Sequence, residues 1–359
     1  MINNLLAPSD VPVGIPLPWS IADGHGRLLL HKGYVIARQI TVNSLFANCV
    51  CQIMTGEDTE IMPDQAGTVI SPARFPLDEL FDLSIRLKPC LDEPDTVSDF
   101  SATILSLATG FQQIVTRDTD LAMGFIFLTP PIEARIKKML NVAIVCDVVA
   151  TAMRMTTAAR RTLTAAILTL DMGIDLPEVF AAQRLRQLGV TDSDWLNAVM
   201  QFHELRYDSL QPVGLTMDHL GLETRLIQLA NSYTESLSTL YDNESMAAYQ
   251  LMRDIFRESG RSSDPVLGGY FIKALGSYPV GCRVELCNGE TGVVIRRTDN
   301  LNCPVVMVLT NANKRKLRIP VKRDTGIMTY RIASVLDPCH HEPLDPYQLW
   351  GYLPFKSHG

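Results

Sequence analysis

Apolar residues recur at helical spacing through the middle of the chain, and start signals divide this region into several helices. Pro76 and the acids after it are typical of a helix start. Asp95 or Thr96 is predicted to cap the next helix, Asp118 or Thr119 the one after it, and Thr156-Thr157 a later one. The middle of the chain is therefore predicted to be a helical body.

The period of the apolar residues changes to two after Pro279. Four alternating or β-branched runs follow, at 283–286, 292–296, 305–309 and 316–319. Asn288-Gly289 lies between the first two runs and is a strong signal for a two-residue hairpin turn, which needs positive φ. These runs predict a small antiparallel β-module.

Short apolar runs around turn residues predict a hairpin at 21–36, a short helix at 41–47 and a strand at 50–54. The predicted fold is therefore mainly α, with a small N-terminal α+β cap and a small antiparallel β-module towards the C-terminus. We divide the chain into the cap at 1–60, a helical linker region at 76–130, a helical domain at 131–278, the β-module at 279–336 and a C-terminal tail at 337–359.

Composition narrows the class of protein. The net charge of −7 argues against general nucleic-acid binding, and 47% hydrophobic with 20% charged residues is ordinary for a globular protein. The apolar stretch 140–153 is interrupted by Asp147 and is too short to span a bilayer. The eight cysteines lack paired spacing, and no signal peptide is recognised. We therefore expect reduced thiols and a cytoplasmic protein without a membrane span.

The stretch 160–215 combines three separated features in a fixed order. A helix of small residues ends at Asp171 and Gly173, a later helix carries His203-Glu204, and a loop with Pro212 follows. This order resembles the HD-GYP domain, a family of metal-dependent cyclic di-GMP phosphodiesterases. The similarity extends to 14–33 at the start of the chain and to 271–294 near its end, and it implies an HD-type helical bundle.

Enzymes of this family bind two or three metal ions through histidines and carboxylates, and a metal-activated water attacks the phosphodiester. The resemblance places the family's His-Asp dyad on Leu170 and Asp171, so the histidine is replaced by an aliphatic residue. The lysine that contacts phosphate in the family falls on Ile174, and we expect both Leu170 and Ile174 to be buried in the helical bundle. A carboxylate ligand of a later motif falls on the amide of Asn231.

The remaining family motifs are also incomplete. The His-His-Glu motif falls on Phe202, His203 and Glu204, and the Gly-Tyr-Pro signature falls on Leu210, Gln211 and Pro212. No histidine occurs between His31 and His203, where the family places its first three histidine ligands. Because first-row metals need several converging imidazoles or carboxylates, we expect no metal cofactor and no catalysis.

Simpler roles are open for the surviving residues. Asp171 fits a carboxylate that caps a helix end, and His203 fits a buried histidine with satisfied hydrogen bonds. Glu204 fits a solvated side chain, and the cysteine and histidines at 339–341 fit a surface tail better than a metal site.

The leading hypothesis is an inactive phosphodiesterase-like protein that acts through a protein partner in cyclic di-GMP signalling. The resemblance suggests a diguanylate cyclase domain as that partner. One alternative is a residual metal-dependent phosphodiesterase or phosphohydrolase. Another is a receptor that binds cyclic di-GMP without cleaving it. A receptor would need a different basic surface, and the candidate anion-binding residues are Arg296, Arg297, Lys314, Arg315 and Lys316.

Overall fold

The computed structural model describes most of residues 75–336 and short parts of both ends. The described residues are 6–13, 15, 17–23, 28–30, 42, 51–54, 75–128, 132–172, 178–208, 220–239, 265–336, 344 and 346–350. The predicted helix at 41–47, apart from residue 42, and most of the predicted tail lie outside them. The chain divides into two compact units: Met1–Phe75 with Asp345–Gly359, and Pro76–Leu344.

The first unit contains a three-stranded antiparallel sheet in the order β2-β1-β3. Its strands are β1 (Ser20–Asp23), β2 (Leu28–Leu30) and β3 (Cys51–Met54). Ile21 on the central strand is fully buried. The predicted hairpin is present as β1 and β2 and the strand predicted at 50–54 as β3, whereas residues 31–36 of the predicted hairpin lie outside the described residues.

The second unit begins with a helical body. Its described helices are α1 (Pro76–Asp92), α2 (Phe100–Arg117), α3 (Thr119–Gly124), α4 (Ala134–Ala152), α5 (Thr157–Leu168), α6 (Glu178–Gln187), α7 (Ser193–Asp208), α8 (Leu222–Thr239) and α9 (Pro265–Leu275). Within the described residues, no helix is both long enough and apolar enough to cross a bilayer.

Helix α4 lies at the centre of this body and contacts α1, α2, α5, α8 and α9. Most of its residues are buried, with no polar stripe, because neighbours cover it on several sides. The segment 76–130, which the sequence separates as a linker region, thus packs in the same compact unit as the rest of the helical domain.

Helix starts follow local side-chain chemistry, with one correction. Asp118 and Thr156 cap α3 and α5 by accepting main-chain hydrogen bonds, as predicted. The prediction that Asp95 or Thr96 caps α2 is wrong, because Pro94–Thr96 forms a separate 3₁₀ turn. The cap is Asp99, whose Oδ1 accepts a hydrogen bond from the Ala102 amide at 2.9 Å.

The β-module is a five-stranded antiparallel sheet in the order β7-β6-β5-β4-β8. Its strands are β4 (Arg283–Leu286), β5 (Thr291–Arg296), β6 (Val305–Thr310), β7 (Lys316–Asp324) and β8 (Ile332–Val335). Four strands form a meander, and the fifth returns beside the first after the 3₁₀ turn Met328–Tyr330.

The hairpin predicted at Asn288-Gly289 is confirmed, but its turn is one residue longer. Gly289 has φ +82°, whereas Asn288 keeps a negative φ. The Gly289 amide donates to the Leu286 carbonyl, and the Leu286 amide donates to the Glu290 carbonyl, both at 2.8 Å. This is a type I turn followed by a left-handed glycine, so only one residue needs positive φ.

A close approach joins the module to the helical body. Gly281 has φ +100°, and a Cβ atom there would lie 2.6 Å from Cδ2 of Phe127. Only glycine fits both the backbone conformation and the available space. Helix α3, just before Phe127, packs on β5.

Candidate functional site

The candidate site lies where the chain leaves α5 and meets α7. The last carbonyl groups of a helix have no partners within the helix, so they need other donors when they are buried. Here two side chains of α7, Trp195 and His203, supply donors to consecutive residues, Thr169 and Leu170. The site is thus built from the end of one helix and the buried face of another.

His203 binds the main chain of Leu170. Its Nε2 lies 2.7 Å from the Leu170 carbonyl oxygen, and the imidazole is 1% exposed. A carbonyl oxygen only accepts, so Nε2 carries the hydrogen and donates it. In this arrangement Nε2 has no lone pair to offer a metal ion.

Trp195 makes the parallel contact one residue earlier. Its Nε1 donates to Thr169 Oγ1 at 2.8 Å, and both residues are fully buried. Thr169 Oγ1 donates in turn to the Ala165 carbonyl at 2.9 Å. These bonds satisfy polar groups that would each cost about 1–3 kcal/mol if buried alone.

The structure describes only some of the other predicted site residues. Leu170 is 5% exposed, which confirms its predicted burial, and Asp171 is half-buried. Asn231 is half-buried on α8, and its described hydrogen bond comes from Thr234 in the same helix. Glu204 lies in α7, but its side chain is outside the described residues. Also outside are Gly173, Ile174, Leu210, Gln211 and Pro212.

The described residues do not fit the two-metal centre that the family resemblance implies. Leu170 supplies a buried aliphatic side chain, and Nε2 of His203 is used by the Leu170 carbonyl. Across the described part of the chain, no group of three or more His, Cys, Asp or Glu side chains is placed to hold a metal ion. Such a centre needs several converging anionic or imidazole ligands.

A buried charged cluster joins α2, α4 and α5, and sequence reasoning missed it. Asp147 is 2% exposed, and its Oδ1 accepts from Arg160 at 2.9 Å and from Gln112 at 3.4 Å. Burial raises the pKa of Asp147, while Arg160 and Gln112 oppose the shift. The acid within an apolar helix could have indicated a buried ion pair, but its partner Arg160 lies on another helix and could not be identified from the sequence.

Lys137 is another charged residue on α4, and it is half-buried. Its Nζ donates to the carbonyls of Phe125 and Ile126 at 2.7 and 3.2 Å, and to Asn141 Oδ1 at 2.9 Å. Burial lowers the pKa of Lys137 to about 7. Its contacts hold the turn that follows α3, so we assign Lys137 a structural role.

The candidate anion-binding residues do not form one patch. Arg296 binds Asp118 through both guanidinium Nη atoms, and Arg297 Nε donates to Asp120 at 2.5 Å. Both arginines lie at the end of β5 opposite its hairpin turn, about 17 Å from that turn at about 3.4 Å per residue. The expectation that they extend the patch at 314–316 is therefore wrong, because antiparallel strands place the two groups at opposite ends of the sheet.

The second group, Lys314, Arg315 and Lys316, lies at the β6–β7 hairpin. Lys314 has φ +58°, and its amide donates to the Asn311 carbonyl at 2.8 Å. This turn repeats the geometry of the β4–β5 turn, with Lys314 in the position that Gly289 occupies there. Lys314 Nζ binds Glu285, and all three basic residues are exposed.

No protein-family model, no curated protein and no solved structure matches this chain. The geometry and chemistry of the described residues therefore carry the functional argument.

Proposed function

We propose that this chain is a catalytically inactive HD-GYP-like protein that acts by interaction in bacterial cyclic di-GMP signalling. In this proposal the helical body is an HD-type bundle whose inherited metal site has been replaced by packing. The single observation that carries it is the hydrogen bond from His203 Nε2 to the Leu170 carbonyl. A surviving ligand residue of the family is used there as an internal support.

The surroundings of this bond favour a structural role over catalysis. Leu170 and His203 are both buried, so the position of the lost histidine belongs to the core. Trp195 reinforces the same helix end through Thr169. A catalytic metal site instead needs an open coordination position and access for substrate. The body would then serve as a docking scaffold, with a diguanylate cyclase domain as the candidate partner.

Two other functions remain as alternatives that the same experiment separates. A residual phosphodiesterase would use Asp171 with ligands outside the described residues. A non-cleaving cyclic di-GMP receptor would use basic residues away from this helix end. Of these two alternatives, the receptor has more support, because Lys314, Arg315 and Lys316 are exposed basic residues that could bind an anionic nucleotide.

The deciding experiment combines metal analysis, a hydrolysis assay and a cyclic di-GMP titration on one preparation of purified protein. We expect no stoichiometric iron or manganese and no metal-dependent hydrolysis. Asp171→Asn should change the free energy of unfolding by at most about 1 kcal/mol, because asparagine keeps an oxygen that can cap a helix. Two tightly bound metals per chain with hydrolysis that Asp171→Asn abolishes would instead establish the phosphodiesterase. Tight nucleotide binding without hydrolysis would establish the receptor.

A further inference from the structure

Three loops of the β-module converge at one end of its sheet. The β4–β5 turn touches the β6–β7 turn, because Lys314 Nζ lies 3.3 Å from the Gly289 carbonyl oxygen. The same β4–β5 turn reaches the entry to β8, since the Cys287 amide donates to the Arg331 carbonyl at 2.8 Å. The first contact is made by a side chain and the second by the main chain, and together they place the three loops at one end of the sheet.

Basic side chains from two of these loops are exposed at this end. We call Lys314, Arg315, Lys316 and Arg331 the basic rim, and all four are exposed. The two glutamates of the module are each paired with a basic side chain. Glu285 pairs with Lys314, and Glu290 accepts two hydrogen bonds from Arg323 at 2.9 Å. Neither glutamate therefore neutralises Arg315 or Arg331, whose positive charges lie at the surface.

The charge of the chain is divided between the module and the remainder. Residues 279–336 contain ten lysines and arginines and four acids, a net charge of +6. The whole chain carries −7, so the other residues together carry −13. The module and the remainder thus have net charges of opposite sign, and positive potential is concentrated on one small sheet.

The acids that bind the other end of the sheet are too far from the basic rim to affect its electrostatic potential strongly. Asp118 and Asp120 bind Arg296 and Arg297 at the far end of β5. That end is about 17 Å from the hairpin turn by strand length. Charges separated by more than about 8 Å are largely screened at physiological salt. An anionic partner at the rim is therefore attracted locally, without strong repulsion from these acids.

We propose that the basic rim is a docking surface for an acidic segment of a partner protein. The inference rests on the proposed function and deepens it, because it gives the chemistry of the partner. Arg315 and Arg331 would bind carboxylates in the paired geometry that guanidinium groups favour. The asparagine-rich turn beside them, with Asn311 and Asn313, offers neutral hydrogen-bonding groups to the same segment.

A short acidic segment suits this surface better than a nucleic acid. Nucleic-acid binding commonly uses about 6–10 phosphate contacts along a continuous basic track. The rim has four basic residues, and Arg296 and Arg297, which would extend it, are bound to aspartates at the opposite end. A segment confined to the rim also avoids long contact with the acidic remainder of the chain.

The test is fluorescence anisotropy on the full chain with three labelled probes: a short glutamate-rich peptide, a single-stranded oligonucleotide and cyclic di-GMP. We expect the peptide to bind most tightly and to lose affinity as salt is added. Arg315→Glu with Arg331→Glu should weaken peptide binding by about tenfold or more, since two charge-assisted contacts become repulsive. Arg315→Lys with Arg331→Lys keeps the charge but loses the paired geometry, so its affinity should fall between those of the wild type and the glutamate variant.

The matched control is Arg86→Glu with Arg161→Glu, which makes the same charge change at exposed positions on α1 and α5. Equal weakening by this control would overturn the assignment, because the effect would then come from net charge alone. Preferred binding of the oligonucleotide or of cyclic di-GMP would also overturn it. Metal content and hydrolysis, measured on the same preparations, show separately whether the proposed inactive function fails.

Discussion

Arg296 binds Asp118 with both of its guanidinium Nη atoms, and this contact joins the β-module to the helical body. Asp118 is also the N-cap of α3, where its Oδ1 accepts a hydrogen bond from the Leu121 amide at 3.1 Å. One carboxylate thus starts a helix and holds a strand that lies far away in sequence.

These two roles of Asp118 can be separated by substitution. Asp118→Asn keeps an oxygen for the cap but loses the charge, whereas Asp118→Ala loses both. We expect the alanine variant to be less stable than the asparagine variant by about 1 kcal/mol in urea unfolding. A double-mutant cycle of Asp118→Asn with Arg296→Gln should give a coupling energy of about 1 kcal/mol. A coupling energy of zero would show that the pair adds nothing to stability.

Gly281 should tolerate no side chain. Gly281→Ala is expected to lower the free energy of unfolding by about 2–4 kcal/mol, because it adds left-handed backbone strain and a clash with Phe127. The control is Gly269→Ala at an exposed position of α9, where a Cβ meets nothing within 4 Å. There we expect a gain of about 0.5–1 kcal/mol from helix propensity. Similar effects at both glycines would contradict the close approach at Gly281.

His203 should contribute to stability through its bond to the Leu170 carbonyl. His203→Phe keeps an aromatic ring but removes the donor, and it should cost about 1–3 kcal/mol because a buried carbonyl loses its partner. His203→Gln offers an amide donor and should cost less. Thermal and urea unfolding of both variants test this order. If the phenylalanine variant proves as stable as the wild type, the bond has no structural importance.

The β6–β7 turn should prefer glycine to alanine at position 314. Lys314→Gly and Lys314→Ala both remove the contact with Glu285, so their difference reports the backbone alone. Because φ is +58° there, the glycine variant should be more stable by about 1 kcal/mol. Urea unfolding of the two variants gives the comparison directly, and a more stable alanine variant would contradict the left-handed conformation.

Glu290 should make the free energy of unfolding depend on pH in the acidic range. Its hydrogen bonds to Arg323 lower the pKa of the carboxyl from its ordinary value of 4.5. A lowered folded-state pKa gives a contribution that is fully present above the ordinary value and is lost as pH falls through the folded value. Glu290→Gln should therefore cost about 1–3 kcal/mol at neutral pH and progressively less in acid.

The control for this pH dependence is Glu285→Gln, at the more exposed pair with Lys314. An exposed pair contributes only about 0–1 kcal/mol, so this variant should follow the wild type closely at every pH. Unfolding curves of the three proteins between neutral pH and pH values below 4.5 make the comparison. A difference at Glu290 that persists unchanged in acid would exclude the carboxylate as its source.

Local chemistry in the sequence determined much of the fold. Helix periodicity, the caps Asp118 and Thr156, and the change of period after Pro279 are properties of neighbouring residues, so they could be recognised without coordinates. The hairpin at Asn288-Gly289 was predicted for the same reason. Burial of Leu170 also followed from its aliphatic character in a helical domain.

Tertiary structure alone decided the polar contacts between distant segments. The sequence marked Asp147 as an acid in an apolar helix, but only helix packing brought it to Arg160 and Gln112. It suggested that Arg296 and Lys314 share one basic patch, whereas strand direction placed them at opposite ends of the sheet. His203 found the Leu170 carbonyl because two helices meet there. Such pairings depend on how elements pack in space, which residue spacing along the chain does not encode.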